Sequence, residues 1–489
     1  MRLRFLLVPA LLALALVGGL CTTVPVATAA PSPTDGVVAS APPNPALAGD
    51  VGRRAYDYGF PLMEFLRVRR EMTSVRCPDT LGNAPVNAFS HRPLPTDASD
   101  RTVVAPNTDT LYSIAHLDLR RGPLVLSWPN MGKRYFSFAM LDPFTDNIAI
   151  PGSREDGPKA GSVLVRWRQS KGKARPRDYD RVVTSKYRRV WVIGRTLASS
   201  TRDQRRAYRK MTQYTLTRPS GRARTFRDGC RPGKPASYPT PSDGETFVRR
   251  LNRALVTNPP PFRDRAILAE LAPYGIGPGL DPDDAALDPA TREALYAGIA
   301  GEAAYLPQSI KLRAVQGALT HDGWFDPPEG LGDYQKDYTL RAQIASAGLG
   351  ANKRVEAIYP TGVLDSTGLP YVGTNTYRLV LPADDMPPAR YFWSLTMYDS
   401  DGYLVPTPTG RYAVGPTHPP YVTRPDGSAV VIMSPTRPDD RTVNWLPTPS
   451  GQFRLNLRLY GPSRAALKGT WSPPAVQNLG PLPVGPLAP

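Results

Sequence analysis

Cysteine and histidine are scarce in this chain, with three and four residues among 489. The cysteines form no Cys-x-x-Cys pair. His91, His116, His321 and His418 show no short metal-ligand spacing, so no metal and no cofactor is expected. There is no Gly-x-Ser-x-Gly nucleophile elbow, no Walker loop and no dinucleotide fingerprint. Acidic residues are also in deficit: 42 Asp and Glu against 60 Lys and Arg, a net charge of +18. Much of the excess lies between Arg166 and Arg231, including Arg188-Arg189, Arg205-Arg206, Arg222 and Arg224. Such a surface is either a solvated face or a contact for anionic cell-wall polymer or a membrane surface. No nucleic-acid motif accompanies it, so nucleic acid is not an expected partner.

Long apolar runs are missing outside the first residues. Arg2 and Arg4 precede an apolar stretch from Phe5 to Leu20, and Ala27-Thr28-Ala29 follows as a small-residue cleavage site. This is the pattern of a cleaved signal peptide over 1–29, with a flexible Pro/Ala linker over 30–45. The stretch is short for a membrane span, and none is expected in the mature chain. Gly18-Gly19-Leu20 before Cys21 has the wrong order for a lipobox. The expected location is therefore secreted or cell-envelope associated. Export leaves Cys77 and Cys230, which in an oxidising compartment form one disulfide or stay as two separate buried thiols.

Proline is abundant, at 56 residues, and is spread along the chain as punctuation between short strands. Residues 46–73 read as a helix interrupted by Pro61. Strand-like runs follow at Leu124–Trp128, Tyr135–Leu141, Ser162–Trp167 and Val190–Ile193. Helical text occupies Arg202–Leu216, Glu245–Val256, Arg263–Leu271 and Pro289–Leu319, with a kink near Pro307. Strands return at Tyr377–Leu381, Tyr391–Tyr398, Ala429–Ser434 and Phe453–Tyr460. In the last, Phe453, Leu455, Leu457 and Leu459 alternate with Arg454, Asn456, Arg458 and Tyr460, giving one apolar and one polar face. The expected organisation is a β-rich domain over 46–200, a helical segment over 201–331, a β-sandwich domain over 332–465 and a Pro-rich tail over 466–489. Arg134-Tyr-Phe-Ser-Phe-Ala-Met-Leu-Asp142 also echoes Arg390-Tyr-Phe-Trp-Ser-Leu-Thr-Met-Tyr-Asp399, with one extra residue that a β-bulge accommodates. This suggests two similar β-sandwich units joined by helices.

Several phrases carry a family resemblance: Asn107-Thr-Asp109-Thr-Leu-Tyr112-Ser113, Arg134-Tyr135, Asn375-Thr-Tyr377, Phe392–Asp399, Arg411-Tyr412, Asp426-Gly427-Ser428 and Asn444-Trp445-Leu-Pro447. They resemble the bacterial domain-of-unknown-function families 1254, over about Tyr56 to Leu216, and 1214, over about Tyr359 to Pro462. The resemblance implies jelly-roll-like β domains in exported or envelope proteins. It supplies no activity. One departure is His116, at a position that is often aromatic in the first family; if it lines a pocket, the ligand differs.

The chemistry left is a polar and aromatic set. Asn107, Tyr112, His116, Trp393, Tyr398, Asn444 and Trp445 are candidate ligand-binding residues, because rings stack on the apolar faces of sugars and amides bond hydroxyls. Asp109, Asp142 and Asp399 are candidate catalytic carboxylates, since glycoside cleavage uses two acids about 5–9 Å apart. The same residue types also build strand cores and Asx turns. The leading expectation is binding of an envelope glycan or small-molecule ligand. The alternatives are a metal-independent, carboxylate-dependent hydrolase and a structural or assembly protein of the envelope.

Overall fold

The computed structural model describes residues 43–101, 104–170, 175–319 and 321–481. The expected signal peptide, Cys21, most of the linker and the end of the Pro-rich tail lie outside the described residues. The protein is mainly β, with several sheets and, among the described residues, seven helices.

The helices are α1 (Ala48–Met72), α2 (Thr201–Met211), α3 (Gly244–Thr257), α4 (Arg265–Leu271), α5 (Pro289–Ala318), α6 (Tyr338–Gly348) and the short α7 (Arg464–Lys468). Side-chain caps start five of them, with Ser200 and Ser463 serving α2 and α7. Asp243, Asp288 and Asp337 accept from the backbone N–H groups of Thr246, Thr291 and Leu340, satisfying donors that a helix start leaves open. Pro61 and Pro307 fall inside α1 and α5 without ending them. The helical core gathers Tyr58, Leu62, Phe247, Leu251, Leu295, Ile299 and Ala342. Close approach of α1 and α5 depends on glycine: a Cβ at Gly52 would sit 2.1 Å from the Leu295 carbonyl oxygen, and one at Gly298 2.1 Å from that of Gly49.

The strands of the first half are β1 (Ser90–His91), β2 (Thr110–Asp118), β3 (Leu124–Trp128), β4 (Phe136–Leu141), β5 (Asn147–Ala149), β6 (Gly161–Trp167), β7 (Arg181–Ser185), β8 (Arg189–Leu197) and β9 (Thr215–Thr217). They form two sheets ordered β1-β2-β8-β4-β5 and β7-β6-β3-β9. Leu117, Phe136, Phe138 and Val192 of one sheet meet Leu126, Val163 and Val165 of the other in a shared core. The second half has β10 (Trp324–Phe325), β11 (Ala357–Ile358), β12 (Thr361–Gly362), β13 (Asn375–Leu381), β14 (Ala389–Asp399), β15 (Ala413–Val414), β16 (Ala429–Ser434), β17 (Asn444–Pro447), β18 (Phe453–Pro462) and β19 (Gln477–Pro481). Its sheets run β10-β12-β18-β14-β15, with β11 also on β18, and β17-β16-β13-β19. Their core joins Leu395, Leu455, Leu457 and Leu459 to Leu379, Val431 and Met433.

The two halves repeat one topology. Strands 2-8-4-5 and 7-6-3-9 recur as 12-18-14-15 and 17-16-13-19. The repeat includes a parallel pair in each half, β6 with β7 and β16 with β17, a feature the antiparallel jelly roll lacks. The extra residue of the second aromatic strand falls at a register shift between Ala389 and Phe392. Beyond it the repeats realign: Ser137 faces Arg195, and Ser394 faces Arg458. Three expected boundaries move. β9 pairs with β3, so the first sandwich continues past residue 200. β10 pairs with β12, so the second sandwich recruits a strand from within 201–331. β19 pairs with β13 inside the expected tail.

Cys77 and Cys230 are joined by a disulfide, their Cα atoms 6.3 Å apart and 153 residues apart in sequence. It ties the loop after α1 to the segment between β9 and α3. Replacing either cysteine by serine is expected to remove about 2–5 kcal/mol of stability, as loss of a disulfide closing a long loop does. Urea unfolding of wild type against Cys230→Ser, with the wild type also measured under reductant, checks this.

Candidate functional site

The polar face of β18 does not meet solvent. Asn456, Arg458 and Tyr460 are all buried, and a segment of the first half, Ala105 to Asp109, lies against them. Arg458 donates through Nη1 to Thr396 Oγ1 at 2.8 Å and through Nη2 to the carbonyls of Ala105 and Pro106 at 2.9 and 3.2 Å. Tyr398 donates its hydroxyl to the Pro106 carbonyl at 2.6 Å and accepts from Arg458. Asn107 closes an Asx turn, accepting from the Asp109 N–H at 2.6 Å and donating to the Tyr460 hydroxyl at 2.5 Å.

Asp109 is fully buried. Its carboxylate accepts from Ser394 Oγ at 2.8 Å and lies 2.6 Å from His418 Nε2. Burial pushes this carboxyl up, but the His418 bond and charge, Arg458 and Ser394 together hold it below the ordinary aspartate value. Asp109 therefore stays an anion. Nδ1 of His418 has no partner among the described residues, and its side chain keeps some exposure.

Arg195 on β8 is the repeat counterpart of Arg458. It is 7% exposed, and it donates to Asn352 Oδ1 and the Gly350 carbonyl, both at 2.9 Å. No carboxylate pairs with it, and its Nε has no partner. Each arginine faces a ring from the neighbouring strand region: Arg195 stands 5.6 Å from the Tyr112 centroid and Arg458 5.5 Å from that of Tyr359, within cation–π range. Tyr359 donates to the Tyr460 hydroxyl at 3.2 Å. The Tyr112 hydroxyl has no partner among the described residues. Both rings are half-buried while Arg195, Arg458, Tyr135 and Tyr460 around them are buried, so the two rings form the partly exposed edge of a buried polar and aromatic cluster. Its aromatic members include Tyr135, 5.1 Å from both Tyr391 and Tyr460, and Phe392, stacked on Tyr460 at 4.3 Å. Tyr135 donates to Glu356 at 2.6 Å, and Arg154 neutralises the same carboxylate. Burial holds Tyr135, Tyr359, Tyr398 and Tyr460 above the ordinary tyrosine value, so they remain neutral donors.

Four expected residues thus converge: Asn107, Asp109, Tyr112 and Tyr398. The others lie elsewhere. His116 stacks on Trp191 at 5.3 Å with Phe65 edge-on. Burial, with Arg69 nearby, drives its pKa well below the ordinary value, so it is a neutral ring under α1 rather than a pocket residue. Trp393 sits in the second core with Tyr421 edge-on at 5.7 Å. Asn444 bonds both backbone groups of Val422, and Trp445 donates to the Ser434 carbonyl. Asp399 closes a turn onto the Tyr403 N–H at 2.8 Å and pairs with Arg101 at 3.5 Å. Asp142 caps a turn through the N–H groups of Phe144 and Asp146. Burial and the adjacent Asp146 charge push it up to about 7. No hydrogen bond or ion pair joins any two of Asp109, Asp142 and Asp399 among the described residues, and no group of three or more His, Cys, Asp or Glu there is arranged to hold a metal. Sequence reasoning missed Arg195, Arg458, Tyr359, Ser394 and His418. The available signal was the charged residue set in an otherwise apolar strand, at Arg195 and Arg458.

Residues 86–218 match the family described as protein of unknown function (DUF1254), and residues 356–464 match that described as protein of unknown function (DUF1214). The segment matching DUF1254 contains Asn107, Asp109, Tyr112, Tyr135 and Arg195 of the cluster, and the segment matching DUF1214 contains Glu356, Tyr359, Ser394, Tyr398, His418, Arg458 and Tyr460. Among solved structures, the VPA0106 protein from Vibrio parahaemolyticus is similar over 88% of this chain and 100% of its own, with 22% identity and a TM-score of 0.62, a likeness of fold. An uncharacterised protein from Burkholderia cenocepacia aligns over 90% of this chain and 91% of its own, at 14% identity and a TM-score of 0.43. No curated protein matches the chain.

Asp109→Asn removes the charge that His418 and Ser394 bond and that Arg458 senses, and is expected to cost about 1–3 kcal/mol, as leaving buried polar partners poorly satisfied does. The folded pKa of Asp109 is depressed, so its contribution is present above the unfolded value and lost as pH falls through the folded one. Urea titrations from pH 6 to pH 3 should show the gap between wild type and variant closing on acidification. Asp142 behaves oppositely. Its folded pKa of about 7 exceeds the unfolded value, so stability is lost as pH rises from the unfolded value to about 7, and the loss is complete above it. Asp142→Asn keeps the turn acceptor and should raise Tm more at pH 8 than at pH 4.

Proposed function

We propose that the cluster around Arg195, Tyr112 and Tyr359 binds a small anionic ligand, with an acidic sugar or acidic glycan terminus as the class. The observation that carries this reading is Arg195: a buried guanidinium with neutral partners only beside a tyrosine hydroxyl that bonds nothing in the described protein. A buried cation without an anion is costly, and a ligand carboxylate would supply one with bidentate geometry. The partly exposed rings of Tyr112 and Tyr359 suit the apolar side of a sugar ring. In this reading the two sandwiches are the walls of one site and the helices brace them.

The hydrolase alternative draws less support. Asp109 is held ionised, so it does not offer the protonated acid that glycoside cleavage needs, and Asp142 and Asp399 are engaged in other turns. The reading extends to an exported protein of the envelope, where acidic polymers occur. The exposed Arg202, Arg205, Arg206 and Arg209 of α2 and Arg222, Arg224 and Arg227 beyond it suit contact with such a polymer at low salt.

Thermal shift with glucuronate, galacturonate and glucose tests the proposal. A ligand at a hundredfold excess over its Kd adds about 2.7 kcal/mol, so the uronates should raise Tm by several degrees, glucose by little, and Arg195→Met should abolish the uronate shift. Equal shifts with glucose, or an unchanged uronate shift in the variant, would remove the basis for this reading.

A further inference from the structure

Outside both family segments, α1, α5 and α6 border an open pocket of about 580 Å³. Arg53 and Asp57 line it from α1, Gly301, Glu302 and Tyr305 from α5, and Thr339 from α6. Asp57 is 2% and Glu302 6% exposed. Asp57 accepts from Thr339 Oγ1 at 2.6 Å through Oδ2, and its Oδ1 is buried with no protein donor. Arg53, which lines the same pocket and whose charge favours the ionised form of both acids, has its guanidinium 3.5 Å from Asp50 and its side chain 44% exposed, and forms no ion pair with Asp57 or Glu302 among the described residues. Tyr305 stands half exposed beside the pocket. Next to it, a Cβ at Gly301 would meet nothing within 4 Å.

We propose that this pocket binds a small organic cation bearing a primary ammonium, held between Asp57 and Glu302 with the Tyr305 ring alongside. Two adjacent buried carboxylates do not both ionise without a counter-cation. In the protein alone one proton serves both. Burial and the Asp57 charge hold the Glu302 carboxyl up to about 7. An ammonium supplies the missing positive charge, so Glu302 releases its proton to solvent as the ligand enters, and charge balances. The volume lies within the range of small-molecule pockets. The ring provides a cation–π face. The other charged or titratable groups around the pair are Arg53 and Tyr56 on α1 and Asp337 at the start of α6. None is a second acid placed to share the proton.

Isothermal titration with 1,4-diaminobutane, in buffers of different ionisation enthalpy, tests this on the chain from residue 30. Affinity should tighten about fivefold from pH 6 to pH 7 and level off above about pH 8, with close to one proton released at pH 6 and none at pH 8.5. Glu302→Gln should weaken binding at least tenfold and abolish proton release. Gly301→Leu should fill the pocket and block binding while retaining a helix-favouring residue, with circular dichroism confirming the fold. Three results would overturn the site: no heat from 1,4-diaminobutane at 10 mM, equal binding of 1,4-butanediol, or binding undiminished in folded Gly301→Leu.

Discussion

The structure turns on one buried anion. Asp109 sits on a segment from the first half yet finds its partners, Ser394 and His418, on the second, and the preceding carbonyls of Ala105 and Pro106 are claimed by Arg458. These groups have lost water on both sides, so each needs the other half in place to be satisfied. Apolar packing alone would let two sandwiches slide. A network of charged and neutral hydrogen bonds does not, because a shift of one residue strands Arg458 and Asp109 together.

The repeat explains why the polar layer is there at all. In each half the outer strands put one face into a sandwich core and leave the other to be covered. On β8 the cover is divided: Trp191 and Ile193 pack with Phe65 of α1, while Arg195, further along, points at the other sandwich. On β18 the whole face of Asn456, Arg458 and Tyr460 is covered. Equivalent positions therefore carry arginine in both repeats, each over a tyrosine ring, but the repeats are not alike in charge. Arg458 has Asp109 nearby and Arg195 has no carboxylate, an asymmetry that makes one half of the interface a structural joint and the other a place where a ligand's charge fits.

The helical layer has a separate logic. Gly52 and Gly298 bring α1 and α5 to backbone contact, which leaves larger side chains further along to stand around a pocket. Asp57 and Glu302 face that pocket from different helices, 245 residues apart in number, and their closeness shifts the proton balance of both. No periodicity in either helix announces it.

The sequence by itself determined the elements and the family. Alternating Phe453, Leu455, Leu457 and Leu459 specify a strand with a buried face, the two aromatic strands betray the repeat through Arg134-Tyr135-Phe136 and Arg390-Tyr391-Phe392, and the Asn107 and Asp109 turn is readable because short polar side chains bond adjacent backbone. Side-chain period and local hydrogen bonding are properties of neighbours in sequence, so they can be read from it. Only the tertiary structure decided which polar residues act together. The face of Arg454, Asn456, Arg458 and Tyr460 reads as ordinary polar alternation until another sandwich covers it, and Asp142, Asp399 and His116 read as chemistry until their turns and stacked rings are seen. Desolvation and charge pairing depend on groups hundreds of residues apart, and these long-range terms set which carboxyl is an anion, which holds a proton and which arginine has neutral partners alone.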